Sequence, residues 1–187
     1  MWRRLGSLTM SGWTRFGKTC QAEGLKLTKT SGGNYPRHAT FGEVMTSGVH
    51  EWEVHFTSAA SANGNRCMYI GVSPEGLDVE KGGHYKAGAF YIRTDDATLH
   101  GAGLEDGEQT RVGYNAIGAV VERVFQAGDR IGVKLNLDDG SLQYSKNGEP
   151  TGWGFLAGTI KGPVVGAVEM LCIGQALTLL PKATVLA

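Results

Sequence analysis

The chain has 187 residues and carries 18 basic and 18 acidic side chains, so its formal net charge at pH 7 is zero. This length suits a single domain, and the balanced charge lacks the basic field that non-specific binding to nucleic acids requires. We therefore expect no nucleic-acid partner. Glycine accounts for 29 residues, about twice its usual share of roughly 7%, which favours short strands joined by tight turns over helices.

The cysteines and the hydropathy indicate a cytoplasmic protein. Cys20, Cys67 and Cys172 are odd in number and far apart, whereas disulfide frameworks and zinc sites show denser or paired cysteines. We expect Cys67 and Cys172 in the core and Cys20, in a more polar setting, at the surface. No apolar stretch approaches the roughly 20 residues that cross a bilayer, so we expect no membrane partner. Four basic residues precede the first acidic one, Glu23; because transit peptides are basic and poor in acids, an N-terminal targeting segment is the alternative.

Short strands are predicted along most of the chain. Residues 1–11 are expected to be a flexible lead-in, and one domain is expected over residues 12–187. The first 24 residues are polar and irregular, with Trp13 and Phe16 as candidate anchors. Ten strands are then predicted from alternating or apolar runs bounded by glycine and proline. They cover Leu25–Thr28, Ala39–Val44, Glu51–Phe56, Tyr69–Ser73, Ala89–Arg93, Thr98–His100, Arg130–Leu137, Ser141–Lys146, Val164–Met170 and Ala176–Leu180.

The segment from Gly128 to Glu149 carries the strongest pattern. Aliphatic residues from Ile131 to Leu137 alternate with polar or small ones, as in a half-buried strand. Asp139-Gly140 allows a tight reversal, the alternation resumes as far as Tyr144, and Asn147-Gly148 turns the chain again. A hairpin with one apolar face needs a second sheet to cover that face. The sequence therefore predicts a two-sheet β-sandwich.

One stretch fits this pattern less well. Ile117, Val120, Val121 and Val124 have the spacing of a helix face, but β-branched residues with a glycine among them disfavour a helix. We therefore predict a strand or an irregular crossing at residues 117–125, with a short helix as the alternative.

No set of residues in the sequence points to a metal site or a cofactor, and we predict neither. The chain lacks the Gly-x-Ser-x-Gly nucleophile turn and the phosphate-binding Gly-x-x-x-x-Gly-Lys-Ser/Thr loop, and its five histidines never pair at metal-ligand spacing. Asp138-Asp139-Gly140 lacks the alternating oxygen ligands and the closing glutamate of a calcium loop. We interpret it as a hairpin turn.

Glu51 and Glu53 form the best acid pair for glycoside hydrolysis. They lie on one face of a predicted strand, about 7 Å apart, and alternate with Trp52 and Val54. Because the sequence shows no concave, aromatic-rich cleft around them, we interpret them as the solvent-facing side of the strand.

Several motifs follow one another in the order found in a known family. Gly48-Val49-His50-Glu51-Trp52-Glu53-Val54 resembles the Gly-x-His-x-Trp-Glu-Val strand of SPRY domains, and Ile70-Gly71-Val72-Ser73 resembles their following strand. The segment from Gly128 to Glu149 is similar to their Gly-Asp-x-Ile-Gly-Val and Tyr-Ser-Lys-Asn-Gly signature, which Gly154-Phe155 and Gly162-Pro163-Val164-Val165 continue. The resemblance covers roughly residues 12–181. It implies an all-β fold, a bent antiparallel two-sheet β-sandwich of the SPRY and concanavalin-like kind, and a role in binding proteins or peptides without catalysis.

The resemblance also implies where a partner binds. In peptide-binding SPRY proteins, the ligand contacts come from the segments that correspond here to the stretch before Gly48, the stretch after Ile92 and the late Pro-x-Val region. The corresponding candidates here are Arg37, His38, Thr40, Leu99, His100, Val168, Glu169 and Met170, with Tyr85, Tyr91 and Trp153 as candidate aromatic anchors. The binders of Asn-rich peptides have Val-Trp-Gly where this chain has Val168-Glu169-Met170, so the same ligand is not implied.

We therefore predict a monomeric, adaptor-like interaction module that recognises a short peptide or a protein surface through loops at one end of the sandwich. A carbohydrate-binding, lectin-like module is the alternative. Glycoside hydrolysis by Glu51 and Glu53 is the third hypothesis.

Overall fold

The computed structural model describes residues 12–33, 35–59, 67–81, 88–101 and 125–181. Within these ranges the chain forms strands and turns and no helix. The strands, β1 to β13 in chain order, are Trp13–Phe16, Cys20–Glu23, Lys26–Lys29, Arg37–Met45, Val49–Ala59, Met68–Pro74, Phe90–Arg93, Leu99–Gly101, Arg130–Asn136, Ser141–Lys146, Glu149–Phe155, Val164–Met170 and Gln175–Leu180.

The strands form two antiparallel sheets. The six-stranded sheet has the order β1-β4-β12-β6-β7-β8, and the seven-stranded sheet has the order β11-β10-β9-β5-β13-β3-β2. Strands far apart in sequence are central neighbours, because β12 pairs with β4 and β6 while β13 pairs with β3 and β5. The predicted all-β, two-sheet sandwich is confirmed.

Alternation along the strands places one face of each sheet in a shared core. In β5, Trp52, Val54 and Phe56 are buried, and Glu51, Glu53 and His55, which alternate with them, are partly exposed. The Trp52 ring meets Phe41 of β4 edge to face, with 6.0 Å between ring centroids. The hydroxyl of Tyr144 on β10 donates a hydrogen bond to a backbone carbonyl of β6 across the core, at 2.9 Å. Aromatic packing and a buried hydrogen bond thus join the two sheets.

The predicted hairpin forms as expected. The β9–β10 turn is closed by a hydrogen bond from the N–H of Gly140 to the carbonyl of Asn136, at 2.8 Å. Asp139 accepts from the N–H of Ser141, at 2.9 Å. Asn147 and Gly148, both with positive φ, form the two-residue turn between β10 and β11, for which Asn-Gly is the preferred sequence.

Three strands were not predicted. They are β1, β2 and β11. Because β1 pairs with β4 and β2 pairs with β3, the interpretation of the first 24 residues as irregular is wrong from Trp13 onward. The expectation that Cys20 lies at the surface is also wrong, because the Cys20 side chain lies on the core face of β2 and is buried. Cys67 and Cys172 are buried as expected. The lead-in at residues 1–11 and the stretch at 117–124 lie outside the described residues.

Candidate functional site

One end of the sandwich gathers most of the residues proposed from the sequence. β4 begins there at Arg37, which pairs with Met170 at the end of β12, and Met170 pairs with the first residue of β6. The turn between β12 and β13 joins the second sheet at the same end, where the N–H of Gly174 donates to the carbonyl of Lys29, at 2.8 Å. We call this region the Arg37 end.

A buried polar triad lies on the outer face of the six-stranded sheet at this end. His38 on β4 and Glu169 on β12 are directly paired across the strands, and His38 Nε2 lies 3.1 Å from Glu169 Oε2. His38 Nδ1 lies 3.3 Å from the hydroxyl of Tyr91 on β7. Burial, with a smaller effect of the Glu169 carboxylate, raises the pKa of Tyr91 well above its usual value, so the phenol keeps its proton. The triad therefore links three strands through side chains.

The segment after β6 covers part of this face. The N–H of His38 donates to the carbonyl of Val79, at 3.1 Å. One oxygen of the Glu80 carboxylate lies 3.2 Å from Arg37 Nε, and the other accepts from the N–H of Lys18, at 2.6 Å. Arg37 therefore has a fixed position at the rim of the sandwich, where 19% of its side chain is exposed.

His100 lies on the same outer face, on β8, which β6 and β7 separate from β12. It is paired with Tyr91 across β7 and β8, and its ring meets Tyr69 edge to face, with 5.2 Å between centroids. Its Nε2 lies 2.9 Å from the hydroxyl of Thr98. His100 remains partly exposed, so it can contact a partner while the tyrosines beneath it hold its orientation.

Burial divides the other predicted contacts into supporting and core residues. His38, Thr40, Tyr91 and Glu169 are all at most 2% exposed, so they can support a binding surface but not line it. Leu99 was expected to contact a partner, but the structure places it in the core cluster between the sheets. Its neighbour His100 points outward, so the alternation of the strand turns Leu99 inward. Val168 and Met170 lie in the same core cluster.

Two exposed apolar residues at the Arg37 end were not predicted. Tyr35, in the connection between β3 and β4, is 71% exposed, and Ile173, in the turn between β12 and β13, is 46% exposed. The sequence signal that could have suggested Tyr35 is its place between several glycines and Pro36, which indicates a loop. The sequence alone does not reveal that the side chain is exposed. Of the predicted anchors, Tyr91 is buried and Trp153 packs against the core, and Tyr85 lies outside the described residues.

The acid pair on β5 lies on the other sheet, in a groove of about 690 Å³. Lys134 Nζ is 3.4 Å from a carboxylate oxygen of Glu51, and an Arg130 nitrogen is 3.8 Å from one of Glu53. Each carboxylate therefore pairs with a cation of the neighbouring strand β9, as on the solvent-facing side of a sheet. The aromatic residues that line this groove, Trp52 and Tyr144, are buried in the core and offer no platform for a sugar.

Neither a metal centre nor a membrane-spanning helix appears in the part of the chain that the structure describes. No three His, Cys, Asp or Glu side chains in that part are grouped to hold a metal ion. The same residues contain no helix that is long and apolar enough to span a bilayer.

Comparison with known proteins agrees with the motifs. The SPRY domain family model matches residues 49–176. The SPRY domain of human HERC1 superposes with a TM-score of 0.66 at 20% identity, covering 89% of this chain and 95% of its own. A human SPRY domain gives 0.61 at 17%, covering 90% and 98%, and the PSpry domain of TRIM65 gives 0.63 at 13%, covering 91% and 92%. No curated protein matches the sequence significantly. At these identities, the solved structures establish the fold.

Proposed function

The chain belongs to the SPRY domain family, whose members are generally protein–protein interaction modules, and from this premise we propose that it binds a protein partner through the Arg37 end. Tyr35 and Ile173 supply apolar contacts, Arg37 supplies a charged one, and His100 contributes at the edge of the same sheet face. The partner presents a short peptide or a small protein surface.

The exposure of Tyr35 is the observation that carries this proposal. A tyrosine that is 71% exposed offers a large apolar ring with a polar tip, and such residues dominate the binding energy of many interfaces. Arginine is likewise enriched at interfaces. Tyr35 and Arg37 are separated only by Pro36, which restricts the backbone between them. Both residues therefore present to one partner.

The buried triad gives this surface its rigidity. His38 follows Arg37 on β4 and is tied to Glu169 and Tyr91, so the strand that carries Arg37 cannot shift without breaking buried polar contacts. A surface that is already ordered loses little conformational entropy when it binds. The predicted contacts His38, Glu169, Thr40 and Tyr91 thus act as positioning residues beneath the surface.

Single substitutions test the proposal once a partner has been captured from a lysate and purified. Tyr35→Ala should weaken binding by at least tenfold, as hot-spot truncations do, and Arg37→Ala and His100→Ala should each weaken it several-fold. The melting temperature should stay nearly unchanged for Tyr35→Ala. The matched control is Val44→Ala, an exposed apolar residue (41%) near the opposite end of β4. If Val44→Ala weakens binding and Tyr35→Ala does not, the Arg37 end is not the binding site.

A further inference from the structure

Lys29 is completely buried although it ends in an ammonium group. The alternation of β3 places Lys29 on the core side together with Leu27, and its Nζ donates to the hydroxyl of Thr19, at 3.1 Å. An ammonium has three N–H donors. Among the described residues, this hydroxyl is its one hydrogen-bond partner, and no carboxylate forms an ion pair with it.

The groups around Lys29 do not neutralise it. Cys20 lies directly opposite on β2, and Arg37, Cys172 and Glu80 are further titratable groups whose charges act on Lys29. Burial raises the pKa of the Cys20 thiol, so Cys20 carries no negative charge at neutral pH. Burial is also the main cause that lowers the pKa of Lys29, and the positive charge of Arg37 adds to this effect.

The carboxylate nearest to these cations does not pair with Lys29. Glu80 acts on Lys29 only weakly and forms its ion pair with Arg37. Both oxygens of the Glu80 carboxylate already have partners, since one oxygen faces Arg37 and the other accepts from the N–H of Lys18. A buried, uncompensated cation is costly. An apolar side chain of similar length would fill the same space without that cost, so the charge is expected to have a use.

We propose that the Arg37 end binds a carboxylate of its partner, an Asp or Glu side chain in a short peptide, and that Lys29 supplies the positive charge that selects it. Arg37, which is partly exposed, contacts the carboxylate. Lys29 acts from beneath without touching it, because charges interact more strongly through a poorly solvated interior than through water. Tyr35 packs against the apolar part of the same peptide. This inference rests on the proposed function and adds the chemical class of the ligand.

A peptide selection identifies the probe. A phage library of random short peptides is selected on the wild-type protein and counter-selected on Tyr35→Ala, so that the recovered peptides require the Arg37 end. Each recovered peptide is then synthesised twice, once with its Asp or Glu and once with the matching Asn or Gln. On the wild type we expect the acidic form to bind about tenfold more tightly, as for a charge-assisted hydrogen bond.

Lys29→Met should remove most of this preference. The variant keeps the length of the side chain and is expected to bind the amide peptide as the wild type does, while its preference for the acidic form falls to about twofold or less. Lys134→Met, a half-exposed lysine on the outer face of the other sheet, is the matched control and should keep the tenfold preference. An unchanged preference in Lys29→Met, or equal binding of both peptides by the wild type, would overturn the proposal.

Proton uptake gives an independent test on the unmodified protein. A carboxylate near Lys29 favours its charged form. At steps between pH 7 and the ordinary lysine pKa of 10.5, the acidic peptide should therefore bind with more proton uptake than the amide peptide, as measured by calorimetry in two buffers of different ionisation enthalpy. Equal uptake for both peptides at every step contradicts the role of Lys29. Failure to recover any peptide that requires Tyr35 would instead contradict the proposed function itself.

Discussion

Replacing Asp129 by asparagine perturbs the turn at which β9 begins. The Asp129 carboxylate accepts hydrogen bonds from the N–H of Gln126, at 2.7 Å, and from the side-chain amide of Asn147, at 2.8 Å. Lys146 Nζ lies 3.2 Å from the same carboxylate. The oxygen of Asn147 accepts from the N–H of Arg130, at 2.8 Å. One carboxylate therefore ties the start of β9 to the turn between β10 and β11.

The size of the effect follows from these contacts. Asparagine keeps one oxygen acceptor but replaces the other with an amide that faces donors. Hydrogen bonds to a charged group contribute about 1.5–3 kcal/mol each, and the amide recovers part of what is lost. We expect the free energy of unfolding to fall by about 2–4 kcal/mol. For a domain of this size, this corresponds to a decrease of about 5–15 °C in melting temperature.

The effect should also depend on pH. Burial alone would raise the pKa of Asp129, but the hydrogen bonds from Asn147, Gln126 and Lys146 outweigh burial and lower it. A carboxyl whose pKa is lower in the folded state stabilises the fold above its unfolded pKa of about 3.9 and loses this contribution as the pH falls through the folded value. The stability difference between wild type and Asp129→Asn should therefore be constant above about pH 5 and shrink below about pH 4.

Urea unfolding followed by tryptophan fluorescence, at pH 7 and at steps down to pH 3, measures both effects. Glu149→Gln is the matched control, because it makes the same change in charge on an exposed residue of the adjoining strand β11. A loss below about 1 kcal/mol for Asp129→Asn, or a difference that does not shrink in acid, would refute the assigned role of the carboxylate.

Three further substitutions test the core and the junction between the sheets by urea unfolding. The control is Gln143→Ala at a half-buried position, which should change the free energy of unfolding by less than about 1 kcal/mol. Trp52→Ala should cost about 3–5 kcal/mol, as the truncation of a buried aromatic; a smaller loss would contradict its place in the core. Gln175→Ala should cost about 3–5 kcal/mol, because it leaves three backbone groups without their partner; a neutral result would contradict this junction. Gly166→Ala should cost about 1–3 kcal/mol, since its new Cβ would lie 2.4 Å from the Phe41 ring; full stability would show that the ring can move.

Alternation and turn chemistry were enough to predict most of the fold. The pattern of β5, β9 and β10 is regular, and their bounds differ from the predicted ones by a few residues at most. The missed strands have physical reasons. β11 contains Pro150 and two glycines, which are depleted in strands, and it is tolerated because it lies at the edge of its sheet. β1 and β2 are four residues each, too short for a pattern to show.

The site was less predictable because exposure is a tertiary property. The family resemblance suggested His38, Glu169 and Tyr91 as contacts, and the structure shows that they are neighbours buried beneath one sheet face. It could not show that the segment containing Val79 returns across this face and helps to bury the triad. The exposure of Tyr35 likewise depends on how the connection between β3 and β4 leaves the sandwich.

Mapping the bound partner by NMR determines whether the Arg37 end is the binding surface. Backbone amide signals of the isotope-labelled chain are compared with and without the purified partner. We expect the largest shifts at residues 31–37 and 171–174 and at His100, with little change near Val44 and Leu156 at the opposite end. Shifts confined to that opposite end, or to the groove beside Glu51, would contradict the account.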